Sequence, residues 1–140
     1  MKIGMILDAP YPIDPRVTNE AKALISSGNE VFLFCLSFNK SFKSNEIING
    51  INVVRFFCSK ITYKLSALAY TFPFYKWVMS KKIKKFIKTY NVDVLHVHDL
   101  QIASSVFYAN TKFNLKITLD LHENRPEIMK FYKHVNGFFG

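Results

Sequence analysis

The fold is decided by residues 2–36, which read KIGMILDAPYPIDPRVTNEAKALISSGNEVFLFCL. An apolar run, Lys2–Asp8, leads into a proline-rich loop and then into Asp14-Pro15, a pair typical of a helix N-cap and first helical position. Gly28 ends the helical spacing, and Glu30–Leu36 is a second apolar run rich in Val, Phe and Leu. A strand, a helix and a second strand in this order predict the start of a parallel α/β sheet.

The rest of the chain continues this alternation of strands and helices. It therefore predicts an α/β fold class, with a Rossmann-like parallel sheet and helices on both faces. The predicted segments are a polar loop over Phe38–Asn49, a strand over Ile51–Cys58, a helical region over Ile61–Tyr90 that breaks near Pro73, a strand over Val92–His98, a helix over Leu100–Ala109 and a strand over Lys116–Leu121.

The composition fits one folded domain with a basic surface. The chain has 140 residues, of which 49% are hydrophobic and 16% aromatic, so a disordered chain is excluded. The formal net charge of +9 favours an anionic partner: a phosphorylated small molecule, an acidic membrane surface or nucleic acid. Cys35 and Cys58 lack metal-type spacing, which indicates buried free thiols and a cytoplasmic location. Leu65–Tyr75, the longest uncharged apolar run, is shorter than the ~20 residues of a spanning helix.

Two short histidine motifs each close a predicted strand: His96-Val97-His98-Asp99 and Asp120-Leu121-His122-Glu123. Ligands bind outside the carboxyl ends of strands in open α/β sheets, so both motifs are candidate sites. His122 is the stronger candidate, because Asp120 and Glu123 flank it and either could orient its ring. The spacing of these side chains matches no specific metal motif, so we predict no metal ligands.

The strand-end residues also have plainer interpretations. Asp99 is placed to cap the following helix, and His98 could bind nearby backbone instead of a ligand. His96 lies deeper in its strand, on the same face as His98, and fits a core histidine. Asp120 and Glu123 could serve as structural or orienting groups.

The helix start at Asp14-Pro15-Arg16 is a candidate anion site. It follows the first strand, and a helix N-terminus with an added arginine suits a phosphate. There is no G-x-G-x-x-G, so the dinucleotide fingerprint is absent. The alternative is a structural helix start with an Arg16–Glu20 ion pair.

Eight lysines and no acidic residue occur between Lys60 and Lys88, interleaved with aromatic residues. The plain interpretation is a solvated helix face above a core-facing stripe. The functional interpretation is an anionic membrane surface bound by residues 60–90. No recognition motif accompanies the charge, so we predict no nucleic-acid partner.

Together these motifs resemble the GT4-type (group 1) retaining glycosyltransferases of the GT-B fold. The resemblance to the start of that family is carried by Asp14-Pro15-Arg16-Val17, Glu20-Ala21, Leu24, Gly28 and Glu30-Val31. The two histidine motifs resemble that family in the same order and at similar separations. The resemblance runs from residue 1 to about residue 130.

The resemblance implies that residues 1–140 are the N-terminal, acceptor-side domain, truncated at its C-terminal end. The missing C-terminal domain would bind most of a nucleotide-sugar donor and carry a Glu-x7-Glu motif. It also implies sugar transfer to a saccharide or lipid-linked acceptor in surface polysaccharide biosynthesis, without a cofactor or bound metal, at the inner face of the membrane. We expect the isolated chain to be inactive. By position, His122 is the catalytic residue, and the substrate-binding residues are Asp14, Arg16, His98, Asp99 and Glu123.

Two features depart from the family pattern. Many members carry glycines after the first strand, where this chain has Ala9-Pro10-Tyr11-Pro12, and no two glutamates stand eight positions apart. Three alternatives therefore stay open: a non-catalytic subunit of a two-chain glycosyltransferase, a GT-B-fold sugar-nucleotide epimerase, and a metal hydrolase.

Overall fold

The computed structural model of the chain describes residues 1–64 and 73–120. In chain order, its elements are β1 (Lys2–Pro10), α1 (Pro15–Ser26), β2 (Glu30–Ser37), β3 (Asn45–Ile48), β4 (Ile51–Phe57), α2 (Lys60–Lys64), α3 (Phe74–Tyr90), β5 (Val94–Val97), α4 (Leu100–Asn110) and β6 (Lys116–Leu119).

The strands form one six-stranded sheet in the order β3-β4-β2-β1-β5-β6. All neighbouring pairs are parallel except β3 and β4, which are antiparallel. β1 lies at the centre, where Met5 pairs with Leu33 of β2 on one side and His96 of β5 on the other. The predicted α/β class and Rossmann-like parallel sheet are confirmed.

β3 corrects the sequence analysis, which placed a polar loop over Phe38–Asn49. Asn45–Ile48 instead forms a short edge strand that folds back on β4, with Ile48 paired to Ile51. Asn49 and Gly50 have φ values of +52° and +81°, which is the left-handed backbone that a tight hairpin turn requires. The signal was present in the Asn-Gly pair between two isoleucine-containing runs, but the polar residues before it obscured the strand.

Helices cover both faces of the sheet, as predicted. α1 lies on one face, where Val17 and Ala21 are fully buried in a cluster with Met5 and Leu33. α3 and α4 lie on the opposite face. Their buried residues share a second cluster with Ile6, Phe34, Leu95 and Val97 of the strands; the helical members are Tyr75, Met79, Ile83, Phe86, Ile87, Ile102, Ala103, Val106 and Ala109. Since successive strand residues point to opposite faces, β1 and β5 contribute to both clusters.

α3 has one apolar side and one basic side. Pro73 is its N-cap, and Asn91 ends it with a left-handed φ of +55°. Residues 65–72 of the predicted helical region lie outside the described residues. Its apolar stripe is buried, and each such side chain stabilises the fold by about 1.5–3 kcal/mol. Lys81, Lys85 and Lys88 are exposed on the other side. Within residues 1–64 and 73–120, no helix has both the length and the apolarity needed to cross a bilayer.

Candidate functional site at the carboxyl edge of the sheet

The carboxyl ends of β1 and β5 form the topological switch point of the sheet. From β1 the chain adds β2 and β4 on one side, then crosses to add β5 and β6 on the other. Ligands bind at such points in open α/β sheets. Backbone hydrogen bonds fix this edge: His98 N donates to Ile6 O at 3.0 Å, and Asp120 N donates to Val97 O at 2.8 Å. The side chains of His98 and Asp120 therefore begin from a rigid frame.

Asp99 connects the two central strands instead of capping α4. It occupies the N-cap position with extended backbone, but its side chain makes no capping hydrogen bond. Its Oδ2 atom accepts a hydrogen bond from the backbone N–H of Asp8 at 2.9 Å. The capping role that the sequence suggested for the Asp99 side chain is thus wrong. The carboxylate fixes the end of β1 beside the end of β5.

Asp8 and Tyr75 form a buried polar pair that the sequence analysis missed. Asp8 is only 4% exposed and Tyr75 is fully buried. The Tyr75 hydroxyl donates a short hydrogen bond to Asp8 Oδ1. Burial, followed by the nearby Asp8 carboxylate, raises the pKa of Tyr75. The available signal was an aspartate at the end of an apolar strand, where a charge needs a partner when buried.

His96 and His98 lie against Glu20 of α1. Their ring centroids are 4.4 Å apart, as expected for side chains on the same face of one strand. Glu20 Oε2 lies 3.7 Å from His96 Nε2 and 3.6 Å from His98 Nδ1. The His98 side chain is fully buried, whereas that of His96 retains 19% exposure. The sequence suggested Arg16 as the partner of Glu20, so this grouping was missed.

The start of α1 agrees with the sequence in part. Asp14 is the N-cap, and its Oδ1 accepts a hydrogen bond from Arg16 N at 3.0 Å. Arg16 turns back to Asp14, with Nη2 2.7 Å from Oδ2, and does not form the Arg16–Glu20 pair. The hydrogen bond from the Arg16 side chain lowers the pKa of Asp14, and the same bond raises the pKa of Arg16.

The structure describes some of the expected site residues at the carboxyl edge and does not describe the others. Arg16 is near enough to Asp99 and Asp120 for both to raise its pKa, so the α1 start faces the carboxyl edge. That edge also holds His98. His122 and Glu123 lie outside the described residues. Among the described residues, one set of side chains could hold a metal ion: Glu20, His96, His98 and Asp120.

Comparison with known proteins gives structural matches only. No family model and no curated protein matches the sequence. Sucrose-phosphate synthase from Thermosynechococcus elongatus matches with a TM-score of 0.73 and 12% identity, over 96% of this chain and 36% of that protein. A structure described as trehalose-6-phosphate from E. coli bound with UDP-2-fluoro glucose gives a TM-score of 0.65 at 13% identity, over 97% of this chain and 36% of its own.

What these proteins share with the chain is the fold. The C-terminal domain of a hydrogenase from Pyrococcus furiosus also matches, with a TM-score of 0.62 and 17% identity, over 86% of this chain and 90% of that domain. At such identities a likeness carries no function with it. The chain therefore shares a fold with these structures, and it spans about a third of the length of the first two.

Proposed function

We propose that residues 1–140 form the N-terminal, acceptor-side domain of a GT-B retaining glycosyltransferase. The complete protein would transfer a sugar from a nucleotide-sugar donor to a saccharide or lipid-linked acceptor in surface polysaccharide biosynthesis. The observation that carries this proposal is the gathering of polar side chains at the switch point of β1 and β5. The fold of sucrose-phosphate synthase supports it.

Arg16 and the start of α1 would receive an anionic group of the donor or acceptor. The Arg16 side chain is 46% exposed, and its hydrogen bonds to Asp14 use Nε and Nη2. Asp14 holds the guanidinium in place, which lowers the entropy lost when a ligand binds. The Arg16–Asp14 pair is neutral overall. It would therefore bind an anionic group through directed N–H groups beside the helix N-terminus, with little help from net charge.

The histidine motifs would form the rest of this wall of the cleft. We propose His122 as the catalytic residue, with Glu123, Asp99 and His98 binding substrate. Asp99 is half-buried at the switch point, within reach of a ligand that enters there. The His98 side chain is fully buried, so among these residues it requires the largest movement to touch a substrate.

One wall alone should not catalyse transfer. Rate enhancement by a transferase depends on holding two substrates in line and excluding water. A second domain facing this edge would supply the donor contacts. We therefore expect the isolated chain to show no turnover, although it can still bind an acceptor.

The test is a sugar-transfer assay on the full-length gene product, with residues 1–140 assayed beside it. We expect His122→Ala to lower kcat/KM by about 10²-fold or more, because a group at the reacting atoms is lost. The control is Glu30→Gln, an exposed carboxylate at the amino end of β2, which should stay within about twofold of the parent. Equal activity of His122→Ala and the parent, or turnover by residues 1–140 alone, would contradict the proposal.

Three further measurements on the full-length gene product separate the alternatives. A stoichiometric second chain with paired glutamates that co-purifies would indicate a two-chain enzyme. An isomerised sugar nucleotide as the only product would indicate an epimerase. Hydrolysis that depends on added metal would indicate a hydrolase.

We also propose that the outer surface of α3 and α4 binds an anionic membrane. Trp77 and Phe107 are 53% and 50% exposed there, and the Lys76 and Lys84 ammonium groups lie 5.1 and 4.6 Å from the ring centroid of Tyr108. Basic groups beside exposed aromatic rings suit lipid headgroups.

Vesicle sedimentation tests the membrane proposal. We expect binding to phosphatidylserine-containing vesicles but not to phosphatidylcholine vesicles, with loss of binding in Lys76→Gln/Lys84→Gln. The control is Lys22→Gln on α1, which removes an exposed lysine on the opposite face. Equal sedimentation of all three proteins would refute the proposal.

A further inference from the structure

Four side chains from three parts of the fold converge beside the switch point. Glu20 lies on α1 and His96 on β5. His98 directly follows β5, and Asp120 directly follows β6. One nitrogen or oxygen atom from each lies within 4.8 Å of the others. Two imidazoles and two carboxylates in one place are the ligand types of a zinc site.

The distances fit shared metal ligands better than hydrogen bonds. Glu20 Oε2 lies 3.7 and 3.6 Å from the two histidine nitrogens, beyond the roughly 2.7–3.2 Å of a hydrogen bond. Two atoms each about 2.1 Å from a tetrahedral zinc are about 3.4 Å apart. The two Glu20–histidine separations therefore exceed the ideal spacing by only a few tenths of an ångström, and the whole set, which lies within 4.8 Å, would have to contract around the ion.

One oxygen of the Glu20 carboxylate also lacks a hydrogen-bond donor among the described residues. Its Oε2 atom is buried and makes no hydrogen bond to the residues that the structure describes. A buried carboxylate oxygen is costly unless a positive charge or a donor compensates it. A divalent cation at the centre of the cluster would supply that charge and would bind both imidazoles.

We propose that Glu20, His96, His98 and Asp120 bind a divalent transition metal of the zinc class. Nitrogen ligands favour Zn²⁺ or Co²⁺ over Mg²⁺ and Ca²⁺, which prefer all-oxygen sites. Two carboxylates and two neutral imidazoles balance the charge of such an ion. The backbone of two ligands is already fixed, since His98 N bonds to Ile6 O and Asp120 N to Val97 O. The ion would join α1 to the ends of β5 and β6.

This site shares His98 with the proposed substrate-binding residues, but metal binding can be measured without sugar transfer. Metal binding could fail while the transferase proposal stands, and the reverse also holds. The measurement therefore uses binding to the chain itself. Tag-free protein is stripped with a chelator, dialysed and titrated with Co²⁺, whose visible d–d absorption reports nitrogen and oxygen coordination, and then with Zn²⁺ in competition.

We expect one Co²⁺ per chain, displaced by Zn²⁺, and a Zn²⁺-dependent rise in Tm. Glu20→Gln and His96→Ala should each weaken binding at least about tenfold. Both side chains are partly exposed, so these variants threaten the fold less than changes at buried His98. The matched control is Glu30→Gln, an exposed carboxylate at the amino end of β2, which should bind as the parent does.

Two results would overturn the proposal. One is a folded parent protein, by circular dichroism, that binds neither Co²⁺ nor Zn²⁺. The other is binding that survives unchanged in both Glu20→Gln and His96→Ala. If Glu20→Gln lowers the Tm of the metal-free protein and no metal binds to the parent, the cluster is an ion pair only.

Discussion

Replacing Tyr75 by Phe tests whether the pair with Asp8 stabilises the switch point. The change removes one hydroxyl and keeps the ring, so it leaves no large cavity among the residues around it. Both partners are buried, at 0% and 4% exposure, and the acceptor is a carboxylate. A hydrogen bond to a charged group contributes about 1.5–3 kcal/mol to stability, so we expect the free energy of unfolding to fall by that amount.

Urea unfolding followed by circular dichroism measures this loss, with an unchanged m-value expected. For a chain of this length, the same loss lowers Tm by about 5–10 °C. Tyr90→Phe is the matched control on the same helix. Its hydroxyl donates to Asn45 Oδ1 at 2.6 Å in an exposed position, so the expected loss is below about 1 kcal/mol.

A double-mutant cycle with Asp8→Asn assigns the effect to the pair. A coupling energy of about 1 kcal/mol or more between the two changes is expected. If Tyr75→Phe unfolds within about 0.5 kcal/mol of the parent, or if the two changes are additive, the buried pair contributes little and the reasoning is refuted.

Three further predictions concern other parts of the fold. Burial raises the pKa of Cys35 to about 12, so at pH 8 its reaction with Ellman's reagent should be about 10³-fold slower than that of a free thiol until urea unfolds the chain; fast reaction in the native state would contradict this. Asp14→Ala should cost about 1 kcal/mol in urea unfolding, whereas Asp14→Asn keeps the N-cap acceptor and should cost less. The pKa of Asp14 is lowered in the folded state, so its contribution is present above pH ~4 and is lost as pH falls further; Asp14→Asn should flatten that loss. Gly4→Ala places a Cβ atom 3.1 Å from Phe86 Cε1 in the core and should destabilise by about 1–3 kcal/mol, and a variant as stable as the parent would show that the core can shift.

The sequence predicted what depends on local pattern. α1 begins where Asp14-Pro15 places it, because the capping bond reaches only two residues along the chain. The parallel α/β sheet follows from alternating strands and helices. β3 was missed because its alternation covers four residues at an edge, too few to distinguish from a polar loop.

Contacts between distant residues could not be predicted in this way. The Asp8–Asp99 bond joins residues 91 positions apart, so local pattern favoured the helix cap for Asp99. Glu20 was assigned to Arg16 because residues four apart are neighbours on a helix. Arg16 instead pairs with Asp14, two residues away, and the Glu20 side chain lies against the sheet. Which partner a charge takes is decided by packing that brings α1 onto β5.

The net charge of +9 predicted an anionic partner, but the charges are unevenly distributed over the fold. Much of the positive charge lies on the outer side of α3, whereas the carboxyl edge is rich in acidic side chains; in the described part of the chain these are Asp8, Asp14, Glu20, Asp99 and Asp120. An anionic donor would gain little electrostatic attraction from such an edge. Carboxylates do accept hydrogen bonds from neutral hydroxyl groups, and they attract cations. Away from Arg16 and the start of α1, where we propose that an anionic group binds, the edge therefore suits neutral sugar hydroxyl groups, or a metal ion at Glu20. The basic outer surface suits an anionic membrane. This division supports placing the acceptor, and not the nucleotide, on this domain.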